Sequence, residues 1–154
     1  MITFDTMAII WGVQKKARAG QEHMIEWTSA LLQDQKSTGV RFAITAPVLG
    51  EYLAKFDDAE LPEQLAAIQK NFVVVPYDAR AAGIAAQLWQ RHGGDRTVER
   101  PILKADIQIV ATAQAAGIGT LYTNDSHLRR IAQGILVVKD IREPDAGTLF
   151  KDGQ

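Results

Sequence analysis

The sequence predicts a three-layer α/β/α sandwich around a central parallel sheet of about five strands. Short apolar segments alternate with segments of helical periodicity along the chain, as in parallel sheets whose strands are joined by helices. Residues 72–75 are apolar at every position, which is typical of a strand covered on both faces. A chain of 154 residues, 47% of them hydrophobic, can bury one sizeable core.

The apolar segments and the helix signals give the elements in order. Asp78 has the position of a helix N-cap, Pro101 suits the first turn of the longest helix, and Gly117 suits the residue just past its end. We predict strands at 2–5, 42–45, 72–75, 119–122 and 135–138. The helices are expected at 6–11, 21–35, 47–56, 63–70, 79–89, 101–116 and, in a short form, up to 131. Residues 1–142 then form one domain, followed by a polar tail over 143–154.

Composition excludes several classes of protein. The absence of cysteine excludes a disulfide framework and a thiolate metal site, and it fits a protein of the reducing cytoplasm. The N-terminus has no signal-peptide pattern, and no apolar segment is long enough to cross a membrane. The net charge is −1, so any nucleic-acid-binding surface has to be local.

Asp106 is the first candidate for chemistry. On the longest predicted helix it lies within an apolar stripe formed by Ile102, Ile109, Val110 and Ala113. A carboxylate on a core-facing stripe is costly unless a cation, a metal or hydrogen-bond donors lie beside it. An ion pair with a basic side chain such as Lys104 would also satisfy it, so the position alone leaves both interpretations open.

Three further acids fall where such a sheet binds ligands, outside the carboxyl ends of its strands. Asp5 and Asp125 follow predicted strands, and Glu51 lies in the helix after the second strand. Each has a structural alternative, because Asp5 and Asp125 have N-cap positions and Glu51 can pair with Lys55. Asp78 also follows a strand, and the residues alone do not rank Asp5 above it.

The other motifs exclude alternatives. The three histidines lack the paired spacing of a zinc site, and they are expected to add little. No glycine-rich phosphate loop follows a strand, and no serine has a nucleophile-elbow pattern. If the four acids converge, their hard oxygen ligands favour Mg²⁺ or Mn²⁺.

Four motifs occur in a characteristic order along nearly the whole chain. An apolar strand ends in Asp5-Thr6, and a hydroxyl residue and helix extend from Thr45 to Glu51. Lys104-Ala-Asp106 precedes an apolar helical run, and Thr123-Asn-Asp125 follows a later strand. Together these motifs resemble those of the PIN-domain family of metal-dependent nucleases, which includes VapC-like ribonucleases, and the Lys104-Ala-Asp106 motif is the most specific of the four.

The resemblance implies a function as well as a fold. It implies Mg²⁺- or Mn²⁺-dependent cleavage of RNA at a pocket made by Asp5, Glu51, Asp106 and Asp125. Many small members are toxins silenced by an antitoxin protein and are often homodimers, so both partners are expected. Thr6 and Thr123 are then expected to orient the acids by hydrogen bonds, and Lys104 to contact phosphate or a neighbouring acid.

The polar segment 91–100 supplies the expected RNA track. Arg91, Arg96 and Arg100 with Lys104 outweigh Asp95 and Glu99 by two charges. A local excess of cations suits a phosphate backbone.

Two alternatives to a ribonuclease remain. One is a non-catalytic PIN-like module that binds RNA or protein. The other is a phosphatase of the haloacid-dehalogenase type with Asp5 as nucleophile, which Met7 disfavours because that family has an acid at this position.

Overall fold

Five parallel strands form one sheet in the computed structural model, which describes residues 1–146. The strands are β1 (Ile2–Phe4), β2 (Phe42–Thr45), β3 (Val73–Val75), β4 (Thr120–Tyr122) and β5 (Val137–Lys139). Their order across the sheet is β3-β2-β1-β4-β5, and all four pairings are parallel. With helices on both sides of this sheet, the predicted fold class is confirmed.

Seven α-helices connect the strands within residues 1–146. They are α1 (Thr6–Ile9), α2 (His23–Ser37), α3 (Ala46–Leu53), α4 (Leu61–Asn71), α5 (Ala79–His92), α6 (Arg100–Ala115) and α7 (Ser126–Ala132). A π-helical turn, Ile10–Gln14, continues α1. None of these helices is long and apolar enough to cross a membrane.

The helix ends follow the sequence signals. Asp5, Asp78 and Asp125 cap α1, α5 and α7, and each carboxylate accepts a hydrogen bond from the backbone N–H three residues later. Pro101 occupies the first turn of α6. Gly117 follows that helix with φ of +71°, a conformation in which a side chain would be strained.

The core lies between the sheet and its helices. Phe4 at the centre of the sheet packs edge-on against Phe42, at 5.5 Å between ring centroids, and stacks on Tyr122 at 5.5 Å. Helix α6 packs against α3, α5 and α7, and it buries Leu103 and Val110 completely. Fully burying an aliphatic side chain of this size contributes about 1.5–3 kcal/mol.

Strand order indicates where this sheet would bind a ligand. The chain proceeds from β1 outward through β2 to β3, then returns to add β4 and β5 on the other side of β1. The order therefore reverses between β1 and β4. In open α/β sheets this reversal leaves a crevice outside the carboxyl ends of the two strands. Asp5 follows β1, and Thr123 follows β4.

Some predicted details differ. Ile102 is 48% exposed and does not belong to the buried stripe of α6, because Leu103 faces the core in that first turn. Helix α3 ends at Leu53, earlier than predicted, and α4 begins at Leu61 because Pro62 lies in its first turn. Strand β5 lies slightly later than predicted. Of the predicted polar tail, residues 147–154 lie outside the described part of the chain.

Candidate active site

Asp5 follows β1 at the reversal of strand order and is 6% exposed. Its Oδ1 accepts a hydrogen bond from Ala8 N at 2.8 Å, and its Oδ2 accepts one from the Thr123 hydroxyl. Burial raises the pKa of Asp5 from 3.8 to about 6, against the two hydrogen bonds that lower it. The charges of Asp125 and Asp106 raise this pKa further.

Thr123 joins the ends of three neighbouring strands. Its backbone N–H donates to Lys139 O at 3.0 Å, while its hydroxyl donates to Asp5 and accepts from Asp125 N at 3.0 Å. The backbone N–H of Asp5 donates to Tyr122 O at 3.2 Å. Thr123 is completely buried, so its hydroxyl has no access to water.

Glu51 approaches from α3. It lies on the second turn of that helix, and its Oε2 accepts a hydrogen bond from the hydroxyl of Thr6, the residue after Asp5. Within residues 1–146 Glu51 forms no salt bridge with Lys55. The helical pair considered from the sequence is therefore not formed.

Asp106 approaches from α6, and its partner is a histidine. His127 Nδ1 lies 2.6 Å from Asp106 Oδ2, and both side chains are 13% exposed. Burial raises the pKa of Asp106, the His127 hydrogen bond lowers it, and the charges of Asp125 and Glu51 raise it. Lys104 makes no ion pair with Asp106 and instead lines a groove between α5 and α6.

Asp125 caps α7, accepting from Leu128 N at 2.8 Å, and is exposed. The charges of Asp125 and Asp106 raise the pKa of Asp5, and those of Asp125 and Glu51 raise the pKa of Asp106. We call these four residues the acidic pocket. Within residues 1–146, however, no three acidic or histidine side chains are arranged so that they could hold one metal ion.

The predicted RNA-binding arginines lie along α5, the α5–α6 connection and the start of α6. Arg91 and Arg96 are exposed. The Arg100 guanidinium lies 4.8 Å from the centre of the Trp89 ring, a cation–π contact.

A comparison with known families identifies the chain. The family model described as "PIN domain" matches residues 2–134, almost the whole described chain. The chain belongs to the PIN domain family. No curated protein matches it.

Solved structures of similar fold come from several bacteria. VapBC2 from Rickettsia felis, bound to a DNA fragment from its promoter, has a TM-score of 0.64 at 17% identity, over 92% of this chain and 100% of that chain. DNA-bound VapBC from Salmonella typhimurium has a TM-score of 0.62 at 20% identity, over 92% and 98%. A toxin–antitoxin complex from Klebsiella pneumoniae has a TM-score of 0.61 at 18% identity, over 94% and 100%. At these identities the likeness establishes the PIN fold alone.

The donor set of this PIN domain fits a hard divalent cation. Every acid in the pocket offers carboxylate oxygens, the ligands that Mg²⁺ and Mn²⁺ prefer. Burial is the main cause of the raised pKa of Asp5, the charges of Asp125 and Asp106 add to it, and a cation would offset both effects.

Sequence reasoning missed His127. Among the described residues it is the only histidine bonded to an acid of the pocket. The available signal was its place two residues after Asp125, in the first turn of α7. That signal does not reveal how α7 is rotated against α6. This rotation brings the His127 ring to Asp106.

Proposed function

We propose that this PIN domain is a Mg²⁺- or Mn²⁺-dependent ribonuclease that hydrolyses phosphodiester bonds of RNA at the acidic pocket. The observation that carries the proposal is Asp5, which is buried at the reversal of strand order within the field of Asp106 and Asp125. A buried carboxylate with a perturbed pKa among other acids is typical of a functional site. Membership of the PIN domain family supports the reaction class.

The four acids would hold the metal, and two threonines would orient them. Asp5, Asp106 and Asp125 would hold the divalent ion, with Glu51 coordinating directly or through water. When bound, such an ion lowers the pKa of a bound water and offsets charge on the attacked phosphate. Thr123 and Thr6 orient Asp5 and Glu51 by their hydroxyl hydrogen bonds.

The RNA track in this proposal is basic. Arg91 and Arg96 are exposed cations, and Arg100 is held against Trp89. Lys104 lies on the same groove as Trp89 and Arg100. These four side chains would contact the phosphate backbone and position it at the acids.

The proposal includes two protein partners. The similar solved structures include a toxin–antitoxin complex, so we infer an antitoxin protein that silences the nuclease. We also infer a homodimer, and light scattering of the purified chain tests it. Co-purification with the product of a neighbouring small open reading frame tests the antitoxin.

Cleavage of a mixed RNA pool tests the function. The parental protein should cut RNA with Mg²⁺ or Mn²⁺, stop when the metal is chelated, and need no Zn²⁺. Asp106→Asn keeps the side-chain shape and removes one charge, so cleavage should collapse while the fold persists in chelator.

Other outcomes identify the alternatives. Full cleavage in chelator by metal-stripped protein would exclude the metal-dependent mechanism. RNA binding without cleavage at any metal concentration would indicate a non-catalytic module. Hydrolysis of p-nitrophenyl phosphate with no RNA cleavage would indicate a phosphatase.

A further inference from the structure

His127 sits between two carboxylates. Its Nδ1 is 2.6 Å from Asp106 Oδ2, and its Nε2 is 3.7 Å from Asp95 Oδ2. The shorter distance is a strong hydrogen bond, whereas the longer one exceeds hydrogen-bond range. An ionised carboxylate can only accept, so Nδ1 carries the hydrogen of the bond to Asp106.

Asp95 is fixed independently of His127. Its Oδ1 accepts from the backbone N–H of Thr97 at 2.8 Å and from the Thr97 hydroxyl at 2.6 Å. Its Oδ2 accepts from Arg130 at 3.2 Å. His127 Nε2 is buried and has no hydrogen-bond partner within residues 1–146. The ring is therefore held chiefly through Nδ1.

The bond to Asp106 completes a pattern in the acidic pocket. Thr123 donates to Asp5, Thr6 donates to Glu51, and His127 donates to Asp106. Three of the four acids thus have one side-chain donor each. Ligating carboxylates are commonly oriented by such donors, whose loss weakens metal binding without removing a ligand.

We propose that His127 is a positioning residue that fixes the Asp106 carboxylate through Oδ2 and leaves Oδ1 for a divalent cation. The inference rests on the proposed function, since it assigns His127 a role toward the same ion. It acts through Asp106 and does not itself bind the metal.

Three substitutions separate positioning from simple packing. His127→Asn places an amide N–H close to the position of Nδ1, so it keeps the donor to Asp106. His127→Gln reaches instead toward the position of Nε2 and Asp95, and His127→Ala removes both contacts. Arg130→Gln is the matched control, because it removes a cation from Asp95 and leaves the bond between His127 and Asp106 intact.

Mn²⁺ titration calorimetry, with thermal melts in chelator, gives the readout. We expect His127→Ala and His127→Gln to lose about 10–100-fold in Mn²⁺ affinity, as for other donors to metal ligands, and His127→Asn to recover most of that loss. Arg130→Gln should bind Mn²⁺ as the parent does. The order of affinities should not follow the order of melting temperatures.

Each contrary result is informative. Parental Mn²⁺ affinity in His127→Ala would overturn the inference. The inference would also be overturned if all three His127 variants lost the same Mn²⁺ affinity and their losses followed their melting temperatures. His127 would then serve packing alone. A parental protein that binds no Mn²⁺ would overturn the proposed function and this inference with it, which distinguishes the two failures.

Discussion

Asp5 and Asp78 form the same kind of helix cap but follow different strands of the sheet. Each follows a strand and caps the next helix, with Oδ1 accepting from a backbone N–H at 2.8 Å for Asp5 and 2.9 Å for Asp78. Asp5 follows β1 at the centre of the sheet and is buried, whereas Asp78 follows β3 at its margin and is exposed. The local motif is the same, and only the position of the strand differs.

The difference shows what makes a capping aspartate available for chemistry. A cap at the margin remains in water, where its charge is screened and has few neighbours. At the centre, flanking elements remove water and bring further acids, so burial raises the pKa of Asp5 to about 6. Strand order, not capping geometry, therefore separates the two aspartates.

Neutralising each aspartate in turn tests directly whether the two differ in function. Asn caps a helix about as well as Asp, so neither Asp5→Asn nor Asp78→Asn should unfold the protein. In RNA-cleavage assays with Mn²⁺, Asp5→Asn should lose at least about 100-fold in rate, the scale for removing one preorganised group from an active site. Asp78→Asn should cut at the parental rate. Equal rates for both variants would contradict the acidic pocket.

A second test compares the two caps by stability against pH. Asp5 has a pKa of about 6 in the folded chain and 3.8 when unfolded, so between these values the folded protein keeps a proton that the unfolded chain has lost. The free energy of unfolding should therefore fall as pH rises from about 4 to about 6. The fall is about 3 kcal/mol, at 1.36 kcal/mol per pKa unit.

Denaturant titrations in chelator measure this effect. Asp5→Asn should lose that part of the pH dependence and should be more stable than the parent above pH 6, relative to pH 4. Asp78→Asn should keep the parental pH profile. If Asp5→Asn kept the parental dependence of stability on pH, the pKa of Asp5 would not be the one that burial raises.

A third test extends the comparison to cations at the two ends of the sheet. Arg91, Arg96 and Arg100 belong to the proposed RNA track. A separate groove at the amino end is lined by Lys36, Arg41 and Lys70. Replacing the three arginines by Gln should reduce the slope of log affinity against log salt by about 2, at about 0.7 per phosphate contact for single strands.

The opposite groove provides the matched control. Replacing Lys36, Arg41 and Lys70 by Gln removes the same charge at the end of the sheet remote from the acids. That variant should keep the parental slope, measured by fluorescence anisotropy with single-stranded RNA in chelator. An equal reduction of the salt slope in both triple variants would show that RNA binding depends on net charge and not on the three arginines of the RNA track.

The last test changes only Asp78, the helix cap at the margin of the sheet, and we expect it to alter stability alone. Asp78→Ala removes the acceptor for Ala81 N and should cost about 1 kcal/mol of stability. Asp78→Asn should cost almost nothing, and neither should alter cleavage where the protein is folded. Chemical denaturation of the two variants side by side measures the difference. A loss of cleavage in folded Asp78→Ala would extend the functional region to the margin of the sheet.

Local features of the fold were predictable from the sequence. The predicted β2 matches the observed strand, and the Asp78 cap and the Gly117 terminus lie where expected, because these signals depend on neighbours in the chain. The rank of Asp5 over Asp78 was not predictable bottom-up, because it depends on which strands pair across the sheet.

Two other features were not predicted because they also depend on packing and not on neighbours in the chain. His127 meets Asp106 only because α6 and α7 pack at one particular rotation, which periodicity does not specify. The π-helical turn was also not predicted. It carries Gly12 so close to α2 that an added Cβ would lie 2.7 Å from Leu32 Cδ1, a contact visible only after packing.

The hydrogen bond between Thr123 and Asp5 also has a consequence in time. Its partners are 118 positions apart, and the strands that carry them, β4 and β1, are adjacent in the sheet. At about 5–20 residues per second, a ribosome needs roughly 6–24 s to make the intervening chain. Until then Asp5 lacks both its donor and its neighbour Asp125. Whatever reaction the pocket performs, a nascent chain cannot begin it before the segment that carries Thr123 and Asp125 has been made, so the ribosome works beside an inert polypeptide until then.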